Sequence, residues 1–317
     1  MRNPLLRLFL LLMSLSIIST YSYAKIWRVN NNPNVVTPFR TIQRACDSSA
    51  VVAGDTIHVE PSATPYGSLV LSKRLVIVGV GFFLNVDPDN QVRSDQLSTI
   101  SSVLISSIAA NGAVLTGIDV DSSITINGGV TGVQLRRCHT GFAILLNNAP
   151  NTVITGCFVG SLSLGPYIKR SIYITNSTNI IITNNICLDR IRVMEPSSAT
   201  IVNNVISATG NGQGSYEEIH IANSTFQNNI IVKPQDFEFV NTVVQNNINS
   251  GTAPPNSSLL PTTGPNTGNQ NGVVMTNVFV SSGGTTDKDY VLKAGSPALG
   301  AGINGEDMGG IWRCHPL

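Results

Sequence analysis

The chain has 317 residues with 19 basic and 18 acidic side chains; charged residues make up 12% of it and aromatics 6%. A charge this sparse and balanced sets up no field to draw the chain to nucleic acid or anionic lipid, and it is too small to solvate the faces of long helices. Asn, Ser, Thr, Gly and short aliphatics fill the gap, a composition that suits an all-β solenoid.

Residues 1–24 read as a secretory signal peptide: Arg2 and Arg7, an apolar run from Leu8 to Ile18, then Ser22 and Ala24 at the small-residue cleavage positions. The apolar run is far shorter than the roughly 20 residues that span a bilayer. The expectation is cleavage after Ala24 and export to the periplasm or beyond, with no membrane span. The remaining chain carries 17 basic against 18 acidic side chains, a net charge of −1. Cys46, Cys138, Cys157, Cys187 and Cys314 leave at least one thiol unpaired, and none shows the CxxC or His-rich spacing of a metal or redox site.

From residue 53 to 248 one phrase recurs. It reads Ile181-Ile182-Thr183-Asn184-Asn185-Ile186, then Ile201-Val202-Asn203-Asn204-Val205-Ile206, Phe226-Gln227-Asn228-Asn229-Ile230-Ile231 and Val243-Val244-Gln245-Asn246-Asn247-Ile248. The second Asn steps by 19, 25 and 18 residues. Val114 to Ile118, Val133 to Cys138 and Val153 to Phe158 continue the series upstream. Each phrase follows a second apolar alternation: Ser123 to Ile126, Ser171 to Ile174, Ile191 to Met194, Glu218 to Ile221, Phe237 to Phe239. Alternation of period two buries one face of a strand, and strands this short bury it only by stacking on their copies in the next coil, about 4.8 Å away. Asn suits the bends because it tolerates the left-handed backbone region, and stacked amides can bond along the axis as a ladder. The turn-rich stretch 249–272 reads as an excursion, after which Val273 to Val280 and Tyr290 to Leu299 are expected to return and close the C-terminal end of the same domain, which runs to residue 317.

Three further segments carry a family likeness: Phe39 to Ala45 leading to Gly54-Asp55-Thr56-Ile57-His58-Val59; Tyr66-Gly67 with Lys73 to Gly79; and Asp289-Tyr290-Val291-Leu292-Lys293-Ala294-Gly295-Ser296-Pro297-Ala298. With the repeats, the chain resembles right-handed parallel β-helix proteins of the pectin-lyase type, in particular secreted bacterial members whose function the family does not define. The resemblance implies a single-stranded right-handed parallel β-helix with an N-terminal strand and capping helix within residues 25–52. Phe39, Ile42, Cys46 and Val51 fall near one helical face, as such a cap requires. The scaffold hosts many chemistries, so it specifies the fold more than the reaction.

In a solenoid, equivalent outward residues line up coil upon coil. The strands before the Asn turns put Ile172, Ile174, Ile191, Val193, Ile219, Ile221, Phe237 and Phe239 inside, and Ser171, Tyr173, Arg192, Met194, Glu218, His220, Asp236 and Glu238 outside. That strip is the candidate site, with Arg192, His220 and Tyr173 as its catalytic candidates. Arg192 suits a uronate carboxylate, and His220 or Tyr173 suits proton transfer. Glu218, Asp236, Glu238, Met194 and Ser171 are substrate-binding candidates. No cofactor is required by the sequence; Ca²⁺ is the ion these carboxylates would suit, and the same carboxylates would also serve glycoside hydrolysis as a pair. The alternative is a solvated sheet face with weak surface ion pairs. The Asn-Thr-Asp, paired Asp-Asp and Gly-His-Gly of polygalacturonase-like hydrolases are absent, so no catalytic set transfers.

Elsewhere, Asp87-Pro88-Asp89-Asn90 with Asp95 reads as a turn insertion, Asp119 and Asp121 as solvent-facing, and His58 and His139 as isolated. Asn176-Ser177-Thr178 and Asn223-Ser224-Thr225 match glycosylation sequons, though turn chemistry explains them more simply. Cys138 and Cys157 occupy equivalent places in adjacent coils, as either a disulfide or a buried thiol stack. The functional expectation is a secreted monomer that acts on or binds a polysaccharide, an acidic one in the sharpest, lyase-type version. The alternative is a non-catalytic surface or adhesion protein presenting a rigid face to a glycan.

Overall fold

The computed structural model describes residues 24–82, 96–160, 170–207, 219–233, 236–252, 259–281, 284 and 286–309. Residues 1–23 of the expected signal peptide, residues 87–95 read as a turn insertion, Glu218 and Cys314 lie outside them.

The chain winds into a right-handed parallel β-helix. Each coil contributes one short strand to each of three all-parallel sheets, of ten, eight and eight strands. The first sheet runs from Ile26–Val29 to Val243–Gln245, the second from Thr99–Ile100 to Ile248–Asn249, and the third from Leu69–Leu71 to Phe237–Val240. Inward side chains of all three meet in one aliphatic column. In the third sheet Ile172, Ile174, Ile191, Val193, Ile219 and Ile221 are fully buried, as the alternation predicts, while Phe237 and Phe239 at the last coil are half-buried. The helix Ile42–Asp47 caps the first coil with Ile42, Ala45 and Cys46, and Thr41 accepts a hydrogen bond from the Arg44 backbone N–H at its start. None of the helices among the described residues is long and apolar enough to cross a membrane.

The two residues that join the first sheet to the second divide the labour. The leading residue of each pair sits at positive φ: Gly117, Arg137, Gly156, Asn184, Asn203, Asn228, Asn246 and Gly268. Only Gly and Asn adopt this conformation readily. The trailing residue points inward, and from Asn185 to Asn269 it is asparagine. Asn185, Asn204, Asn229 and Asn247 are wholly buried. Each donates its backbone N–H and its Nδ2 to the Oδ1 of the next asparagine, at 2.8–3.0 Å. Each Nδ2 also reaches a backbone carbonyl, such as Ile182 O from Asn204 at 2.9 Å. The ladder extends one rung past the sequence repeats, to Asn269, and ends upstream where the Cys157 N–H donates to Asn185 Oδ1 at 2.8 Å. Beyond that point Cys157 and Cys138 take the asparagine's place as buried free thiols, and burial pushes Cys157 well above the usual thiol range.

The C-terminal segment takes a different course from the expected one. Val278, Phe279, Tyr290, Ala298 and Met308 do not close the end of the coil stack; they pack along the outer face of the second sheet against Phe158, Ile186, Val205, Ile230 and Ile248. The Gly309 N–H donates to Asn228 O at 2.9 Å, and Gly309 holds φ +80°, a backbone conformation that strains any residue with a side chain, close against Ile230. The reason lies in the second sheet, whose outward column turns apolar from Phe158 onward and needs a cover.

At the other end Asp55, almost wholly buried, accepts hydrogen bonds from the Lys25 N–H (2.8 Å), Trp27 Nε1 (2.8 Å) and the Val52 N–H (3.0 Å). Burial raises its pKa, but these donors and the Lys25 charge outweigh burial and hold the carboxyl below its usual value.

Three outcomes follow. Asn204→Ala strands buried donors and acceptors on both sides of the rung and is expected to cost about 3 kcal/mol in chemical denaturation, against about 0.5 kcal/mol or less for the exposed Thr200→Ala. Arg137→Asn, which relieves an exposed arginine at φ 49°, is expected to stabilise the chain by about 1 kcal/mol. Because the folded pKa of Asp55 is lowered, its contribution is complete above the ordinary aspartate value of about 3.9 and drains away as the pH falls from there through the lowered folded value. The stability gap between parent and Asp55→Asn, measured by urea unfolding, should therefore be widest at pH 7 and shrink at pH 3.

Candidate functional site

The outward face of the third sheet is built by strands Arg170–Thr175, Arg190–Val193, Ile219–Ala222 and Phe237–Val240. Tyr173 pairs with Arg192, Val193 with Ile221, and His220 with Glu238. That register puts Tyr173, Arg192, His220 and Glu238 in one column on four successive coils, about 4.8 Å apart. The alternation thus brings these four candidates together.

A second column runs beside it and contains residues the alternation did not single out. Arg170 pairs with Arg190, and the register shifts between Arg170 and Ile172. This is a β-bulge, in which one extra residue re-aims its neighbours. The bulge corrects Ser171: instead of facing out, it is wholly buried, its Oγ donating to Val159 O at 2.9 Å and accepting from the Asp189 N–H at 2.8 Å. Arg170 takes the outward place, with its guanidinium 4.2 Å from the centre of the Tyr173 ring, a cation–π contact. Arg190 lies 3.5 Å from Asp189 Oδ1. Extending the alternation of Arg190-Ile191-Arg192-Val193 one residue upstream would have found Arg190, whereas nothing in the sequence marks the bulge. Three arginines and a tyrosine therefore share two adjacent coils.

The downstream half of the strip is acidic and anchored by a histidine. His220 Nδ1 lies 2.7 Å from Glu238 Oε2, with His220 at 6% exposure. Its buried Nε2 has no hydrogen-bond partner among the described residues. His220 is thus nearly closed to solvent, and the carboxylate it faces, Glu238, has a half-exposed side chain. Asp236 is exposed at the start of its strand, and Met194 stands half-buried at the end of its own. Glu218 lies outside the described residues. No group of three or more His, Cys, Asp or Glu among the described residues is arranged to hold a metal ion.

The second sheet holds a cluster that the one-dimensional reading separated. Thr99, Asp119 and His139 stack in register on successive coils. Thr99 Oγ1 donates to Asp119 Oδ2 at 2.8 Å, and His139 Nδ1 lies 2.5 Å from Asp119 Oδ1. Asp119 is 7% exposed rather than solvent-facing, and His139, flanked by Phe82 and Phe158 with ring centres 5.9 and 5.7 Å away, is not isolated. Desolvation first, and then the Asp119 charge, raise the pKa of the neighbouring Asp121. The residues lie 20 apart in sequence, and only coil stacking joins them.

A polar groove of about 410 Å³ runs along the turns between the third and first sheets, lined by Asn179, Ser198, Thr200, Asn223, Thr225 and Asn241. Comparison with protein-family models, curated proteins and solved structures finds no match to this chain, so its site is read from its own geometry.

Proposed function

We propose that the chain is an exported β-helix protein of the pectin-lyase type that binds an acidic polysaccharide along the outward face of its third sheet. The observation that carries this reading is the convergence of Arg170, Arg190 and Arg192 around Tyr173 on adjacent coils, in a chain with only 12% charged residues. Guanidinium groups pair with carboxylates in two-point geometry, and an axial strip suits a linear chain of uronates better than a compact ligand. In the lyase version, Arg192 neutralises the uronate carboxylate, which makes the adjacent ring proton easier to remove. Tyr173, half exposed and with the Arg170 guanidinium over its ring, takes that proton as the glycosidic oxygen on the neighbouring carbon leaves and the ring double bond forms. His220 orients Glu238.

One observation favours a second reading, a non-catalytic surface or adhesion protein. Apart from Ala199, the side chains lining the 410 Å³ groove are all amides and hydroxyls, which suits the hydroxyls of a neutral glycan.

The two readings separate by experiment. In the first, Arg192→Ala and Arg190→Ala each weaken binding to polygalacturonate or alginate about tenfold, as expected for loss of a charged hydrogen bond of about 1.5 kcal/mol, and added salt weakens it further. Unsaturated products absorbing in the ultraviolet, abolished by Tyr173→Phe, would establish the lyase version. Unchanged affinity in both arginine variants would sink the reading, and binding of neutral glycans lost in Asn223→Ser would move the function to the turn groove.

A further inference from the structure

The inward position that carries asparagine from Asn185 onward passes to Cys157 and then to Cys138 in the coils above it. Their alignment is fixed from both flanks. Leu135 and Arg136 lie beside Ile154 and Thr155, and His139 lies beside Phe158, so Cys138 lies beside Cys157 with no change of register between. Both side chains are wholly buried, and the structure holds both as free thiols. Parallel neighbours run about 4.8 Å apart, inside the range of roughly 4.4–6.8 Å that a disulfide spans between Cα atoms.

Little holds either sulfur where it is. Cys138 Sγ lies 3.5 Å from Leu115 O and 3.4 Å from Arg136 O, and Cys157 Sγ lies 3.6 Å from Leu135 O and 3.5 Å from Thr155 O. Thiols are weak donors, and a serine would serve the same carbonyls better, so hydrogen bonding does not explain sulfur at two stacked places. The two thiols also face one another closely enough to interact. Cys187 offers a poorer partner: it pairs with Val159 and Ile206, two residues further along its coil than the asparagine position. Cys46 belongs to the capping helix at the far end of the stack.

We infer that Cys138 and Cys157 close to a disulfide that joins two successive coils, a covalent rung above the last asparagine, and that it forms while those coils are still assembling. The oxidant is a low-molecular-weight or protein disulfide. One cysteine, as its thiolate, attacks a sulfur of that disulfide and expels the other sulfur as a thiol. The second cysteine then attacks its neighbour in the mixed disulfide; the new S–S bond forms as the remaining oxidant sulfur leaves. Two electrons and two protons pass from the pair to the oxidant, which ends as two thiols. Timing follows from burial, because exchange needs a thiolate and access. Desolvation raises the Cys157 thiol well above its usual range, and the closed core admits no reagent. The same shielding protects the bond from reductant once it has formed. An oxidising compartment is what export would provide, so the bond in the cell rests on the proposed export, whereas its formation in solution does not.

The test uses the unaltered chain, unfolded in urea with reductant, and refolded with oxidised and reduced glutathione. The folded fraction is unfolded again in iodoacetamide, digested and mapped by mass spectrometry. The expected map has Cys138 linked to Cys157, with Cys46 and Cys187 alkylated. A second sample is refolded fully reduced before the same glutathione mixture is added; it should form the link at least about tenfold more slowly, since access limits exchange. Alkylation of both Cys138 and Cys157 after oxidative refolding would overturn the inference and leave them as apolar filling. So would a link from either to another cysteine, or equal rates in the two samples. A link that forms in solution but is missing from the chain isolated from its own cells would instead count against export.

Discussion

The interaction on which the molecule depends is the buried amide-to-amide hydrogen bond that links Asn185, Asn204, Asn229, Asn247 and Asn269. An amide inside an aliphatic column is costly unless every donor and acceptor is matched. Here the match comes from the asparagine one coil away together with a backbone carbonyl, so a coil that slips by one residue leaves two rungs broken. The ladder thereby fixes the axial register of all three sheets, including the one whose outer face carries the arginines. The leading residue of each pair has an independent duty, to hold positive φ, and the two duties explain why the recurring phrase is Asn-Asn and not a single Asn.

Above Asn185 the ladder gives way to Cys157 and Cys138, and the chain changes character. The bend is made by Gly156, Arg137 and Gly117, and in place of the amide ladder the Cys157 and Cys138 thiols reach the Leu135 and Leu115 carbonyls. The second sheet's outer face changes at nearly the same level, from the Thr99–Asp119–His139 polar stack to the apolar column starting at Phe158. The C-terminal segment covers the apolar part. Polar termination of a stripped face and apolar coverage of the rest are two solutions to one problem, that a sheet face must be solvated or buried.

Much of this was legible in the sequence, for a physical reason: a solenoid repeats its environment, so Ile172, Ile191 and Ile219 declare the same inward position three times over. The Asn pairs announced both the bend and the ladder. The features that stayed hidden are those that occur once. The bulge at Ser171 breaks an alternation that its neighbours obey, and with it the outward place of Arg170. The contact between Asp119 and His139 depends on coil length and not on any local pattern. The sideways course of residues 273–309 could not be read from turn-rich composition, because the demand for it arises in Ile186, Val205 and Ile230, which look like ordinary strand residues. Of the candidate site, Tyr173, Arg192, His220 and Glu238 fell into one column as the alternation predicts, while the depth at which His220 sits beside Glu238 is set by packing that no local pattern shows.

The sideways course of the C-terminal segment also bears on the order in which the protein is made. The chain emerges from its N-terminus, so coils can stack on a capped first turn while synthesis is still under way. The outer column from Phe158 to Ile248, however, stays uncovered until Val278, Phe279, Tyr290 and finally Met308 arrive. A nascent chain that has finished its coils is thus still adhesive along one flank until Val278, Phe279, Tyr290 and Met308 pack over it.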